Sequence, residues 1–206
     1  MLSMTQKEFR ELADFIKTNY GINLKDEKKS LVTGRLHHVL AQKNFNSFTE
    51  YYNYVVSDRS GEAVTTLLDK ITTNHTFFMR EASHFYYFRD KVLPYLAQTA
   101  KQKDLRIWSA GCSTGEEPYT LAMIIDEFFG NEKIWWDTRI LATDISGKVL
   151  DTAAKGIYRS ESINSLPACW RLNYFRKLDT DNFVIADKIK NEVIFRKFNL
   201  MDDVFP

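Results

Sequence analysis

The segment from Ile107 to Pro118 constrains the fold of this chain more than any other. It joins an apolar run to a turn of glycine, serine and threonine, after which Glu116 opens a run with helical spacing. Strand, glycine turn and helix in this order are typical of a parallel sheet, where backbone N–H groups and a helix N-terminus face a ligand. A second strand at 138–143 and a helix at 147–154 repeat the order, which predicts a parallel sheet with right-handed crossovers.

The first 70 residues show a different pattern, with helical runs and short connections. Thr5 and Glu8 have the spacing of a capping box, and Gly21 ends the helix that they open. Three more helices are predicted at 31–40, 47–55 and 63–71. We therefore predict an α/β fold class with an all-helical N-terminal domain over 1–72 and a second domain over 73–206.

The rest of the second domain is less regular. Residues 83–100 are predicted to form an aromatic-rich helix that Pro94 bends or restarts. Short strands separated by turn residues are predicted between 174 and 198, including one at 193–198. The βα alternation gives two clear strands of the parallel sheet plus a third at 193–198, although the subdomain segment 174–198 covers the same residues. A doubly wound sheet usually has more strands, so either this sheet is unusually small or the chain is C-terminally truncated.

Composition narrows the function classes. The 206 residues are 44% hydrophobic and 14% aromatic, enough to bury a core, and their net charge of +1 provides no overall attraction to nucleic acid or a membrane surface. Two cysteines, Cys112 and Cys169, make neither a disulfide framework nor a zinc site. That cysteine spacing also leads us to expect no metal site. The sequence has no signal peptide or transmembrane run, so we expect a cytoplasmic protein.

The glycine turn has three interpretations, of which a dinucleotide site is the first. Only Gly111 and Gly115 are present, so the three-glycine fingerprint is incomplete. Glu116 and Glu117 also stand where a pyrophosphate would lie, and their charges would repel it.

A nucleophile elbow is the second interpretation, because residues 111–115 satisfy Gly-x-Ser-x-Gly between a strand and a helix. That arrangement needs a histidine after the serine. All four histidines of this chain precede Ser113, so its hydroxyl has no base unless a missing C-terminal segment supplies one.

A cofactor that carries positive charge and no phosphate is the third interpretation. S-adenosylmethionine has a sulfonium and an ammonium group, so acidic side chains at the turn would attract it. Asp144, at the end of the second strand, is placed to accept the ribose hydroxyls, and Glu117 to accept the amino group. The structural alternatives are a helix-dipole role for Glu116 and Glu117 and a helix cap for Asp144.

Four motifs resemble the chemotaxis receptor methyltransferases of the CheR family. They are ITTNHTFFMRE at 71–81, WSAGCSTGEEPY at 108–119, ATDI at 142–145 and GIY at 156–158. The resemblance extends over essentially the whole chain in the same order. It implies a helical domain followed by a Rossmann-like S-adenosylmethionine-dependent methyltransferase domain, with a small antiparallel β-subdomain at about 174–198. It further implies methylation of glutamate side chains on cytoplasmic helices of chemoreceptors.

The resemblance also implies a set of cofactor contacts. These fall on Asn74, Thr76, Arg80, Gly111, Glu117, Asp144, Asn199 and Leu200. The family has a further strand with an Arg-Asn pair and then a tyrosine near the methyl group, so the resemblance implies that this chain is a fragment. In members that bind a receptor pentapeptide the β-subdomain has a longer, glycine-containing loop. The corresponding stretch here, 176–183, is short and lacks glycine, which favours recognition without that tether.

No catalytic acid or base is predicted, because a surface glutamate has a pKa of about 4.3 and is already ionised at pH 7. Arg80 is interpreted as holding the methionyl carboxylate of the cofactor, with substrate steering and a surface ion pair to Glu81 or Asp69 as alternatives. His75 is interpreted as a polar residue rather than a metal ligand.

The second helix carries a basic surface that includes Lys28, Lys29 and Arg35. Receptor methylation helices are acidic around their glutamates, so we interpret this surface as a docking site, with a merely solvated face as the alternative. We expect a monomeric enzyme. A non-catalytic sensor or adaptor that binds S-adenosylmethionine with the same fold is the alternative function.

Overall fold

The computed structural model describes residues 2–206 and divides the chain into two compact units. The helical unit comprises the chain up to Thr73 together with Phe198–Pro206, and the α/β unit comprises Asn74–Lys197. The segment 198–206 therefore groups with the helical residues, whereas the sequence patterns assigned it to the second domain.

The helical unit contains the four predicted N-terminal helices. They are α1 (Gln6–Tyr20), α2 (Lys29–Gln42), α3 (Phe48–Ser57) and α4 (Glu62–Ile71). The predicted capping box is present, since the Thr5 hydroxyl accepts from the Glu8 N–H while the Thr5 N–H donates to Glu8 Oε2 over 2.8 Å. Gly21 ends α1 in the left-handed conformation, at φ 68°.

Two polar side chains join the helices of this unit. The second carboxylate oxygen of Glu8 accepts from both the N–H and the hydroxyl of Thr49, so it connects α1 to the start of α3. Arg35 on α2 donates through Nη1 to the carbonyl oxygens of Ile71 and Thr72, where α4 ends. The apolar core beneath these contacts includes Phe9, Ile16, Leu36, Leu40, Tyr51 and Leu67.

The α/β unit begins with two short helices, α5 (Ala82–Tyr87) and α6 (Leu93–Thr99), separated by a π-helical turn at Phe88–Val92. Pro94 is near the start of α6, where its missing N–H is tolerated. The helical backbone runs on from Ala82 to Thr99, and the predicted irregularity at this proline takes the form of the π-helical turn that precedes it.

A three-stranded parallel sheet carries the two βα units. Its elements are β1 (Ile107–Ser109), α7 (Glu116–Phe129), β2 (Ile140–Asp144) and α8 (Gly147–Lys155). The remaining elements of the unit, in chain order, are β3 (Ile157–Arg159), α9 (Ser160–Ile163), α10 (Ala168–Tyr174), β4 (Phe175–Lys177), β5 (Asn182–Ile185), α11 (Asp187–Lys190) and β6 (Val193–Lys197). The parallel sheet has the order β1-β2-β6.

The antiparallel subdomain differs from the predicted segment 174–198. Its sheet has the order β3-β5-β4, so it starts at Ile157 and ends at Ile185. β6 instead pairs in parallel with β2, from Ile140 opposite Val193 to Asp144 opposite Lys197. The apolar side chains of β6 thereby join the main core, so 193–198 belongs to the parallel sheet as its third strand and lies outside the subdomain.

The main core lies between the parallel sheet and its helices. Tyr119 and Met123 on α7, Ile140 and Ala142 on β2, and Leu93 on α6 are almost completely buried. At roughly 25 cal/mol per Å² of apolar surface buried, such side chains stabilise the packing of the sheet and helices between which the glycine turn lies.

Candidate active site

The candidate site lies at the carboxyl ends of β1 and β2, where the glycine turn leaves the sheet. The turn is fastened to β2 by the Cys112 N–H, which donates to the Thr143 carbonyl oxygen over 2.9 Å. Gly115 then starts α7 at φ 94°, and a Cβ atom there would lie 3.0 Å from both Ala153 Cβ and the Tyr158 hydroxyl. Only glycine therefore permits this close approach of the turn to α8.

Two acidic side chains stand at this edge with defined orientations. The carboxylate of Asp144 accepts from the Ser113 N–H over 2.9 Å and from the Ser146 N–H over 3.0 Å, one bond at each oxygen. Glu117, exposed in the first turn of α7, accepts from the Ser109 hydroxyl over 2.6 Å. Groups of the sheet and the turn thus hold both carboxylates at this edge, with Glu117 exposed and Asp144 half-buried.

Glu116 has a different environment from its neighbour. It is buried and accepts from the Thr114 hydroxyl over 2.6 Å, and burial raises the pKa of its carboxyl. The Tyr158 hydroxyl donates to the Thr114 carbonyl oxygen, so it supports the same turn. Glu116 therefore supports the turn from inside, while Glu117 faces outward.

The Cys112 thiol lies in an environment that disfavours its thiolate form. It is 1% exposed, and burial together with the charge of Asp144 raises its pKa to about 12. A thiol in this state is almost entirely protonated at pH 7, and the thiolate is the nucleophilic form.

The segment before α5 lies against the same turn. The Ser113 hydroxyl donates to the Asn74 carbonyl oxygen over 3.0 Å. Arg80 donates through Nη1 to the His75 carbonyl oxygen over 2.7 Å, and Arg80 itself is exposed. Met79 and Glu81 both have left-handed backbone, at φ 60° and 58°, which gives this segment its tight path into α5.

The structure brings part of the predicted set together. Asn74, Gly111, Glu117 and Asp144 meet around the glycine turn, and Thr76 and Arg80 follow in the adjoining segment. Asn199 and Leu200 belong to the helical unit, where the Asn199 side-chain amide donates to the Asn19 carbonyl oxygen and Leu200 is exposed.

The predicted docking residues are all in the helical unit. Lys28 is exposed before α2, and Lys29 is half-buried at its first residue. Arg35 is half-buried, and its Nη1 is occupied by the carbonyl oxygens at the end of α4. Lys28 and Lys29 therefore provide the accessible charge of this surface, whereas Arg35 also caps the C-terminal end of α4.

Two groups at the site were not anticipated from the sequence. Ser109 orients Glu117, and the Trp108 indole N–H donates to the Thr143 hydroxyl across β1 and β2 over 3.0 Å. Nothing in the local sequence indicated either pairing. Ser146, two residues after Asp144, did have a recognisable signal, since an Asp side chain commonly accepts from the N–H two residues on.

A cavity also lies at the other end of the sheet. It measures about 1010 Å³ and is lined by residues that precede β2 and β6, including Arg139 and Glu192, and by Trp135 of the turn after α7. The acids at the carboxyl ends of the strands do not line it. We place the functional site at the acids because bound ligands of open α/β sheets lie at the carboxyl edge.

The electrostatics of the turn decide among the three interpretations. Acidic groups at the edge disfavour a diphosphate and suit a cofactor with an ammonium and two ribose hydroxyls. A Cβ atom at Gly111 would meet nothing within 4 Å, so a ligand can approach the backbone there. The Ser113 hydroxyl is directed to the Asn74 carbonyl oxygen rather than to a histidine, which removes the basis for a nucleophile elbow.

Comparison with known proteins agrees with this assignment. Residues 74–206 match the family model for the CheR methyltransferase S-adenosylmethionine-binding domain, and residues 7–72 match the model for its all-alpha domain. The chain belongs to the CheR methyltransferase family. S-adenosyl-L-methionine is accordingly its cofactor, and its activity is methyl transfer in chemotaxis.

Individual relatives cover both units of this CheR-family chain. It is 41% identical to a chemotaxis protein methyltransferase of Borreliella burgdorferi over 208 residues, covering 100% of this chain and 74% of the relative. It is 33% identical to chemotaxis protein methyltransferase 1 of Pseudomonas aeruginosa, covering 98% and 74% respectively. The chemotaxis protein methyltransferase of Escherichia coli is 34% identical, with 97% and 68% covered.

Neither a metal site nor a membrane-spanning helix is found in the part of the chain that the structure describes. Within residues 2–206, no three His, Cys, Asp or Glu side chains are grouped so that they could hold a metal ion. The same residues include no helix with the length and hydropathy needed to span a membrane.

Proposed function

We propose that this CheR-family protein methylates glutamate side chains on cytoplasmic helices of chemoreceptors, forming γ-carboxyl methyl esters. The observation that carries the proposal is the pair of carboxylates, Glu117 and Asp144, held at the carboxyl edge of the parallel sheet by Ser109, Ser113 and Ser146. Their charge and their fixed orientation suit a cationic nucleoside cofactor. The family and the names of its members support the same activity.

When bound, S-adenosyl-L-methionine supplies a methyl group activated by a sulfonium. Asp144 would accept the ribose hydroxyls, since each of its oxygens keeps a lone pair beyond the bond from the chain. Glu117 would accept the ammonium of the methionyl part, and Arg80 would hold its carboxylate with the guanidinium N–H groups that His75 does not use. Asn74, Thr76 and Gly111 complete the proposed set of contacts within the α/β unit.

The chain's own residues contribute positioning rather than proton transfer. A substrate glutamate with a pKa of about 4.3 is ionised at pH 7, so no general base has to activate it. Holding two reactants in a productive orientation lowers the barrier by about 7 kcal/mol or more. This agrees with the roles given to the acidic side chains: Glu117 and Asp144 would bind the cofactor, and Glu116 supports the turn.

Recognition of the receptor is assigned to the basic surface formed by Lys28 and Lys29, with Arg35 beside it. A cationic surface accelerates encounter with an acidic helix and favours its orientation. The proposal includes a monomeric protein acting in the cytoplasm, where the receptor helices would be reached. The short stretch 176–183 favours recognition without a receptor tether.

Transfer of a tritiated methyl group to a receptor cytoplasmic fragment tests the proposal. The protein is assayed as it stands and with the further strand that the family resemblance implies after Pro206. We expect labelling that is released as methanol by mild base, which identifies a methyl ester, and loss of labelling when the substrate glutamates are replaced by glutamine. Cofactor binding without labelling in either form would instead support the sensor or adaptor function.

A further inference from the structure

Ser113 has a backbone conformation that serine rarely adopts. Its φ is 49°, in the left-handed region, and it is 9% exposed at the centre of the glycine turn. A residue with a Cβ atom is disfavoured in this region, whereas glycine adopts it freely. Such strain persists only when surrounding contacts maintain it, and it is common at ligand sites.

The two polar groups of Ser113 hold two different elements. Its N–H donates to Asp144 Oδ2 over 2.9 Å, at the end of β2. Its hydroxyl donates to the Asn74 carbonyl oxygen over 3.0 Å, in the segment that precedes α5. A glycine would make only the first of these bonds. The side chain is therefore needed for the second, at the cost of the strained backbone.

We propose that Ser113 is a positioning residue that fixes Asn74 and Asp144 relative to each other before the cofactor binds. The proposal rests on the cofactor site proposed above, in which both residues are contacts. Ser113 touches neither a base nor the reacting atoms in this role. It lowers the ordering cost of binding, because two sides of the site are joined in the free protein.

Titration calorimetry with S-adenosylhomocysteine tests this role in two variants. Ser113→Ala removes the hydroxyl and keeps the strained backbone, whereas Ser113→Gly removes the hydroxyl and relieves the strain. We expect both to raise the dissociation constant about tenfold, the effect of losing one hydrogen bond that orders the site. In methyl-transfer assays the KM for S-adenosylmethionine should rise while kcat changes less than twofold.

Thr120→Val is the matched control. The Thr120 hydroxyl donates to the Glu116 carbonyl oxygen over 2.7 Å inside α7, so the variant also loses one hydroxyl hydrogen bond, away from Asn74 and Asp144. Its dissociation constant should stay within twofold of the parent value. An equal loss of affinity in Thr120→Val and Ser113→Ala would show a general loosening and overturn the proposal.

Two other results would also overturn it. One is an unchanged dissociation constant in Ser113→Ala and Ser113→Gly; the other is a loss of kcat in these variants at unchanged affinity, which would place Ser113 in the chemical step. If Ser113→Ala does not fold, the dissociation constant of Ser113→Gly alone tests the proposal, because glycine adopts the left-handed backbone without strain. A parent protein that binds S-adenosylhomocysteine but methylates no receptor would contradict the proposed function and leave this test valid.

Discussion

The hydroxyl of Ser109 donates to Glu117 Oε1 over 2.6 Å, which joins the end of β1 to the first turn of α7. Ser109 is 1% exposed, so its hydroxyl has no access to bulk water and depends on this acceptor. Glu117 is therefore held in one orientation while it remains exposed. A carboxylate held this way needs little reordering when it receives a cation.

Glu117→Gln should weaken S-adenosylhomocysteine binding by about tenfold, or about 1.4 kcal/mol, because the amide keeps an oxygen for Ser109 but loses the charge. Asp144→Asn should weaken binding at least as much, since one of its two N–H partners would face an amide nitrogen. Calorimetry measures both. Glu161→Gln, at an exposed position on α9, is the control and should bind S-adenosylhomocysteine like the parent protein. If the Glu117→Gln, Asp144→Asn double variant also bound it with the parent affinity, these two acids would not form the cofactor site.

Gly115→Ala should lower the free energy of unfolding by about 2 kcal/mol, since the left-handed backbone is strained and the new Cβ atom would meet Ala153 and Tyr158. Urea unfolding followed by circular dichroism measures the change. Gly111→Ala is the matched control, because its Cβ atom would have open space and should cost less than 0.5 kcal/mol. Equal costs in the two variants would contradict the close approach of the turn to α8.

Thr5→Ala should lower the free energy of unfolding by about 1 kcal/mol at pH 7, because α1 loses its N-cap. It should also flatten the dependence of stability on acid. Burial acts to raise the pKa of Glu8, but hydrogen bonds from Thr5 and Thr49 outweigh it and lower the pKa. A carboxyl with a lowered folded-state pKa stabilises the protein above its unfolded pKa, and this stabilisation is lost as pH falls through the folded value.

The acid dependence is measured by urea unfolding between pH 7 and pH 3. The parent protein should lose more stability than Thr5→Ala over this range. Thr18→Ala, an exposed position on the same helix, serves as the control and should follow the parent curve. Parallel curves for Thr5→Ala and the parent would contradict the role of Thr5 in holding the charged form of Glu8.

Replacing both Lys28 and Lys29 with glutamate should weaken binding of an acidic receptor fragment about tenfold at low salt, with a smaller effect at high salt, because screening shortens the range of the charges. Affinity for S-adenosylhomocysteine should not change. Surface plasmon resonance at two salt concentrations measures the first quantity. The matched control is the double variant Lys7→Glu, Lys17→Glu on α1, which makes the same charge change elsewhere on the helical unit. If both double variants weakened receptor binding equally, the effect would come from net charge, and Lys28 and Lys29 would not form a docking site.

Features of the fold that depend on neighbours in the sequence were predictable. The capping box of Thr5 and Glu8, the end of α1 at Gly21 and the turn between β1 and α7 all follow from residues a few positions apart. Local backbone preferences and side-chain reach act over such distances whatever the rest of the chain does. The resemblance to the CheR family relied on the same short motifs.

Contacts between distant residues were decided only by the tertiary structure. Ser113 and Asn74 are 39 positions apart, and Arg35 and Ile71 are 36 apart. Hydrogen bonds of this kind form because packing brings two elements together, and neither partner carries a local pattern that identifies the other. The sequence patterns left the strand at 193–198 with two possible places, in the parallel sheet or in the subdomain, and only pairing with β2, which buries its apolar face in the main core, decides between them.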